Sequence, residues 1–485
     1  MRLSQWALCT ALLAVLAPSA ALAQQPYPML PSSGVQRTAY EYRDYYAQDP
    51  ALRDEEGGGH VTTRAEDEAY QAQSGGLAAA AAGNGSGDNG CGNGCGEEEA
   101  EGPCRLFECE WLESRNITIA GWVAQSPFTW NPQNPDNRFN GIVTWTDRSN
   151  EYQLNQLYWY AEKTTDTESY GSDIGGRVDL MYGTDTRFTQ ALGLEDKWNL
   201  GQRFYGLALP QLYMEAAFGD TKTKLGHFYC PSGYEVVPTV NNFFNTLPLT
   251  FQYGEPFTLT GLLTTYAASD NLSLGGGFVR GWDTWDGSNP ASSPNLAPIG
   301  AVTATGEGGD SLAFFVIESQ ELNQNGQFTH RHLNTFAYSV PLNNEWTYVA
   351  QHDLGYQNAA MANGKSAWWY GFNNYLFYKV SDTWTWGVRA EWFRDQDGFR
   401  VGGFLPTLAN GSTRGLPTTF SGYAGNFTEL TFGANWKPTA NFVARPCIRW
   451  DTYAGEDNNA GGLRPFDDGN KNWQILVGGD IILLY

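Results

Sequence analysis

The sequence predicts an all-β fold: a transmembrane antiparallel β-barrel of roughly 14 to 18 strands, even in number, behind a mostly disordered N-terminal leader. Three observations carry this expectation. From residue 116 to residue 485, short runs alternate apolar and polar side chains at period two and are separated by turn residues. Aromatic residues make up 14% of the chain, with 18 Trp, 26 Tyr and 56 Gly, yet mean hydropathy is only −0.42. Rings for two membrane interfaces, glycines for turns and little continuous hydrophobicity suit strands that cross a bilayer. The last residues, Trp473 to Tyr485, form one more such run, which is read as the strand that closes the barrel.

The elements follow in order. Residues 1–23 read as a secretory signal peptide: Arg2, then an apolar stretch from Trp6 to Ala17, then the small-x-small site Ala21-Leu22-Ala23 before Gln24. Export implies a compartment that permits disulfides. Cys9 leaves with the signal, so six of seven cysteines remain. Residues 24–115 form a low-complexity periplasmic leader. Gly75 to Gly96 is rich in Gly, Ala and Asn, and Glu97 to Glu101 is acidic. Such composition buries too little apolar surface to offset chain entropy. Gly85 to Gly90 is a formal G-x-G-x-x-G match, but no strand precedes it and no helical pattern follows, so a dinucleotide site is excluded. Cys91, Cys95, Cys104 and Cys109 are disulfide candidates. Their spacing is wider than the C-x2-C pairs zinc prefers, which leaves disulfides, zinc or a link to another chain or surface layer open. Cys230 and Cys447 either pair across the barrel or stay reduced.

Residues 116–485 are the barrel. In DIGGRVDLMYG, Ile174, Gly176, Val178, Leu180 and Tyr182 share one face while Arg177 and Asp179 share the other. PQLYMEAAFGDTKTKLGHFY reads as two runs joined at Gly219-Asp220, a hairpin signal, with Glu215 on the polar side. TWTWGVRAEWFRD sets Trp384, Trp386, Val388, Ala390 and Trp392 against Arg389 and Glu391. NFVARPCIRWDTY sets Phe442, Ala444, Ile448 and Trp450 against Arg445, Arg449 and Asp451. The final run sets Trp473, Ile475, Val477, Ile481, Leu483 and Tyr485 against Gln474 and Asp480. An apolar face toward lipid and a charged face toward a wet lumen produce this grammar. The expected pore-lining set is therefore Arg177, Asp179, Glu215, Arg389, Glu391, Arg445, Arg449, Asp451 and Asp480, whose charges would set ion preference at little cost in water.

LGHFYCPSGYEVV (Leu225 to Val237), GEPFTLTGLLTTY (Gly254 to Tyr266), FVRGWDTWDGSN (Phe278 to Asn289), VRAEWFRDQDGFR (Val388 to Arg400) and ANWKPTANFVARPCIRWD (Ala434 to Asp451) resemble, in order, motifs of the OmpL-like outer-membrane β-barrel porin family, the porin-2 group. The resemblance covers nearly all of residues 116–485. It implies a passive outer-membrane pore for small solutes or ions, surrounded by outer-membrane lipid, inserted by the barrel-insertion machinery and needing no cofactor. The terminal aromatic is similar to the C-terminal signal of such barrels. The chain departs from the pattern at Cys447, where an acid is expected after Arg445-Pro446.

Other chemistry finds less support. The net charge of −23, from 52 acids and 29 bases, would repel nucleic acid. His330 and His332 share a face and form either a metal pair or a polar strand end, with no third ligand near in sequence. His352-Asp353 has the look of a base with its orienting acid, but no G-x-S-x-G or H-E-x-x-H accompanies it. The acidic pairs Asp283/Asp286, Asp395/Asp397 and Asp467/Asp468 suit turns or calcium, and none has the full spacing of a calcium loop. Two rivals to a pore stay open: a barrel enzyme of protease or lipase type, and a structural barrel anchoring a surface layer. The leader composition makes a direct prediction. Mild proteolysis of the folded protein should remove residues up to about Gly90 and spare the rest, and a protease-resistant leader would contradict it.

Overall fold

In the computed structural model, residue 107 and residues 109–485 are described, apart from 137, 196–197, 199–203, 402–421 and 456–461. The alternating runs become antiparallel strands, nearly all paired with their neighbours in sequence. They are β1 (Ile117–Ser126), β2 (Thr129–Trp130), β3 (Gln153–Lys163), β4 (Ser172–Gly183), β5 (Gly206–Phe218), β6 (Thr221–Tyr229), β7 (Thr258–Ser269), β8 (Leu272–Val279) and β9 (Ala297–Thr305). Then come β10 (Ser311–Leu322), β11 (Phe328–Pro341), β12 (Trp346–Gln357), β13 (Ala367–Lys379), β14 (Trp384–Asp395), β15 (Gly425–Thr439), β16 (Phe442–Gly455) and β17 (Trp473–Leu484). β2 is a two-residue continuation of β1, so the wall has sixteen long strands, inside the expected range.

The sheet closes because β1 pairs with β17 on one side and β3 on the other. Tyr485 completes the seam. Its N–H donates to Gly121 O at 3.0 Å, its C=O accepts from Gly121 N at 2.9 Å, and its hydroxyl donates to Tyr158 O at 2.8 Å. Closure leaves no edge with unpaired amides, the condition for a sheet in hydrocarbon. Connections alternate in length. The rim holding Ile117 and Leu484 has tight turns at 219–220, 270–271 and 440–441, whereas the opposite rim has long connections at 127–152, 230–257 and 280–296. Gly219 takes φ +52° in the expected hairpin turn, a conformation glycine adopts without strain.

The pleat sorts the side chains as period two requires. On β14 to β16, Trp386, Phe432 and Ile448 are 45–48% exposed on the outside, while Arg389 and Arg449 are fully buried inside. β17 keeps the same register: Trp473 and Leu483 face out, and Gln474 and Asp480 face in. No helix among the described residues is long and apolar enough to cross a membrane, so the crossing elements are the strands.

One connection folds into the interior along its whole length, beside largely buried stretches at 139–149 and 184–193. Residues 230–257, between β6 and β7, fold inward, and all are buried except the partly exposed Asn241. The segment contributes to all three buried apolar clusters: Cys230, Leu249 and Tyr253 to the first, Val237, Val240, Leu247, Phe251 and Phe257 to the second, and Tyr234, Phe243 and Phe244 to the third. Its apolar side chains need not alternate, because it packs against wall residues on several sides rather than lying in the sheet.

The seam yields a test. A Cβ at Gly121 would lie 2.1 Å from Tyr158 O and 2.8 Å from the Tyr485 ring, whereas one at Gly276 would meet nothing nearer than 3.8 Å. Gly121→Val should abolish the heat-modifiable band of a closed barrel on a gel. Gly276→Ala should keep it.

Candidate functional site

The inner wall of β14 to β17 presents three arginines to the inserted segment. Arg389 donates through Nε and Nη2 to Glu429 of β15 at 2.9 and 3.3 Å, and through Nη1 to Glu235 of the segment at 3.1 Å and Thr246 O at 2.7 Å. Arg445 forks onto Asp480 of β17, with Nε at 2.8 Å, and gives Nη1 to Thr239 O at 2.7 Å and Asn242 O at 2.5 Å. Arg449 donates Nε to Asp451 at 2.9 Å and Nη1 to Leu247 O at 2.5 Å. An irregular segment inside a barrel has no ladder to satisfy its carbonyls. The planar guanidinium, with five donors, holds a carboxylate on one edge and segment carbonyls on the other.

Other wall side chains bond further groups of the segment. Glu391 accepts from Leu249 N at 2.8 Å and from Thr250 N and Oγ1 at 2.6 Å each. Gln351 accepts from Tyr234 N at 2.8 Å, and its Nε2 donates to Glu255 and Asp353 at 2.7 and 2.8 Å. Trp369 Nε1 donates to Gly254 O at 3.1 Å, and Gln156 Nε2 donates to Val237 O at 2.8 Å from the far wall. The segment is thus tied to opposite sides of the barrel.

The other expected residues lie on that far wall. Arg177 donates to Asp179 at 2.6 Å and to Glu162 at 3.0 Å, with its guanidinium 4.3 Å from the Tyr160 ring centroid. Asp179 also accepts from Tyr158 and from Gln211 Nε2. Glu215 accepts from Thr165 Oγ1 at 2.8 Å. In the connection after β4, burial pushes the Asp185 carboxyl up to about 7, against hydrogen bonds from Asn155 and Gln156 that favour its charged form.

All nine residues expected on the polar face have buried side chains on the inner wall, but two groups form: Arg177, Asp179 and Glu215 on β4–β5, and the other six on β14 to β17. One expectation needs correction. Charges in open water were expected to cost little to keep or lose, whereas these six sit beneath the inserted segment with at most 4% of their surface exposed. A chain that alternates records which face a residue takes, not whether water or protein covers that face.

Other expectations are also redrawn. His352 and Asp353 cannot act together, because neighbours on a strand point to opposite faces: His352 Nδ1 donates outside to Gly371 O, and Asp353 faces in. Asp283 and Asp395 cap backbone amides, Asp283 those of Phe257 and Thr258 and Asp395 those of Phe399, Arg400 and Val401, the role of turn-forming carboxylates. The Cys447 thiol donates to Asn245 Oδ1 at 3.0 Å rather than meeting Cys230. Cys91, Cys95 and Cys104 lie outside the described residues, and Cys109 immediately precedes a four-residue helix. Glu318, invisible as a partner in sequence, joins His330 and His332 from the next strand. Among the described residues no group of three or more His, Cys, Asp or Glu is arranged to hold a metal ion.

Sequence reasoning missed Glu235, Glu255, Gln351 and Glu429, which complete the network. The available signal was the loss of alternation between Pro231 and Pro256, an apolar stretch too irregular for a strand.

A family model described as "Putative beta-barrel porin-2, OmpL-like" matches residues 116–485. No curated protein matches the chain in sequence. Among solved structures it is similar to OprB of Pseudomonas putida, at 10% identity and a TM-score of 0.50, over 77% of this chain and 96% of that one. It is also similar to an anion-selective porin from Comamonas acidovorans, at 9% identity and a TM-score of 0.47, over 76% and 99% of the two chains. The OprB match supports the barrel fold alone.

The anchor predicts its own energetics. Arg389→Ala strands Glu429 and Glu235 without their partner and should destabilise the barrel by about 3–5 kcal/mol. Asp382→Ala breaks the exposed Lys379–Asp382 pair (3.1 Å) and should cost under about 1 kcal/mol. The shift in the temperature of the heat-modifiable transition measures both, and equal shifts would refute the anchoring role.

Proposed function

The chain belongs to the β-barrel porin-2, OmpL-like family, and from that premise we propose that it is an outer-membrane porin for passive diffusion of small solutes, its lumen narrowed by residues 230–257. The observation that carries this reading is the arginine ladder, Arg389, Arg445 and Arg449, gripping an inward-folded segment that bears Glu235 and Glu255. Fixed cations on the wall facing fixed anions on the segment set a field across any remaining passage, and rings of charge select ions. By the general rule for such barrels, the short-turn rim lies in the periplasm with the leader, and the long connections lie outside the cell. The signal peptide, lipid surroundings and barrel-insertion machinery belong to the same reading, which needs neither cofactor nor enzymatic site.

The extent of filling favours one rival, a sealed barrel that anchors a surface layer. Conductance in a planar bilayer separates the two. The porin reading expects discrete steps from the folded protein, larger steps after residues 236–250 are replaced by a short Gly-Ser linker, and a reversal potential moved toward cations by Arg449→Ala and toward anions by Glu391→Ala. Folded protein that inserts but never conducts would support the anchoring barrel and sink the porin.

A further inference from the structure

At mid-strand the outward face of β14 to β16 is apolar, with Trp386, Trp392, Leu430, Phe432, Ile448 and Trp450 all exposed, and its polar groups Arg394, Asn426, Thr428 and Thr452 lie toward one end of the strands. The outward face of β10 to β13 is different. It carries Glu318, His330, His332, Asn334, His352 and Asn374. Register fixes their direction: Glu318 opposes His332, Asn334 lies between Val316 and Leu354, His352 between Phe336 and Phe372, and Asn374 between Ala350 and Ala390. Their in-strand neighbours Leu333, Thr335, Gln351, Asp353, Asn373 and Tyr375 are buried inside. Asn334, His352 and Asn374 sit near the middle of their strands, at the depth where β14 to β16 present rings and leucines.

The groups bond to one another. Glu318 accepts from His330 Nε2 and His332 Nδ1 at 2.6 Å each, His332 Nε2 accepts from Asn334 Nδ2 at 2.9 Å, and Tyr348 OH donates to Asn374 Oδ1 at 2.6 Å. These bonds use one side of each group. Among the described residues no further hydrogen-bond partner meets the Asn374 amide hydrogens, Asn334 Oδ1 or the second ring nitrogen of His352, whose side chains lie on the outward face. Acyl chains offer such atoms no partner, and polar groups within a membrane are stable where protein covers them.

We propose that the outward face of β10 to β13 is where copies of this chain meet side by side in the membrane. The inference rests on the reading of the chain as a membrane barrel. The occupant must span the same bilayer and offer donors and acceptors at the same depth. A second copy does so by construction, and this patch holds carboxylate, imidazole and amide groups together, so it complements itself when rotated onto a copy. The half-buried side chains of Val316, Phe336 and Ala350 supply the packing between the polar positions.

The test measures the mass of the full-length protein in mild detergent by light scattering, and its cross-linked species in native membranes. Wild-type protein is expected as an oligomer. Asn334→Leu combined with Asn374→Leu, which suits lipid better, should raise the monomer fraction at least tenfold while keeping the heat-modifiable band. Ala350→Trp, which adds bulk and removes no polar group, should do the same, and Ile448→Ala on β16, three strands outside the patch, should leave the mass unchanged. A wild-type monomer in both settings, or an oligomer that survives both disruptive variants, overturns the proposal. Loss of the heat-modifiable band from wild-type protein would instead overturn the membrane-barrel reading beneath it.

Discussion

In hydrocarbon, a backbone N–H or C=O without a partner costs several kcal/mol, and no water can relieve it. Sixteen strands satisfy this by closing on themselves, and the seam between β1 and β17 is therefore as important as any strand pair. The same accounting governs the interior. Residues 230–257 leave the sheet and lose its ladder, so their carbonyls and amides need side-chain partners. Arg389, Arg445, Arg449, Glu391 and Gln351 provide them, and the barrel can hold an irregular segment only because its wall carries these groups at the right heights.

That dependence changes what the wall charges mean. An arginine facing open water is a tunable element of selectivity. An arginine clamped between a wall carboxylate and a segment carbonyl is also a structural part, and its removal leaves a buried acid unpaired. In the proposed porin the two roles would coincide in Arg389 and Arg449. Stability and ion preference would then be coupled at these positions, and measuring one without the other would misassign the effect.

The outside of the barrel obeys a complementary rule. Where lipid is the neighbour, aromatic and aliphatic side chains cover the strands, as on β14 to β16. The polar groups on β10 to β13 break that rule at mid-strand, on one sector of the circumference. Polar atoms concentrated on one sector mark a place where the solvent changes from lipid to protein.

The alternation of side chains was enough to determine the barrel, its antiparallel strands, the Gly219-Asp220 hairpin and the direction of Arg177, Arg389, Arg445 and Arg449, because period two is a local property of a pleated strand. The same local rule identified Trp392 and Ile448 as outward residues. What covers each face was not legible. Glu235 reaches Arg389 across 154 positions of sequence, and Thr239 reaches Arg445 across 206. Glu318 meets His332 because β10 and β11 pair at one register. Pairings of this kind depend on how a long connection folds back and on where neighbouring strands align. The tertiary structure alone decided that the charged face is packed rather than wet, since side-chain period records direction and carries no information about the partner that lies there.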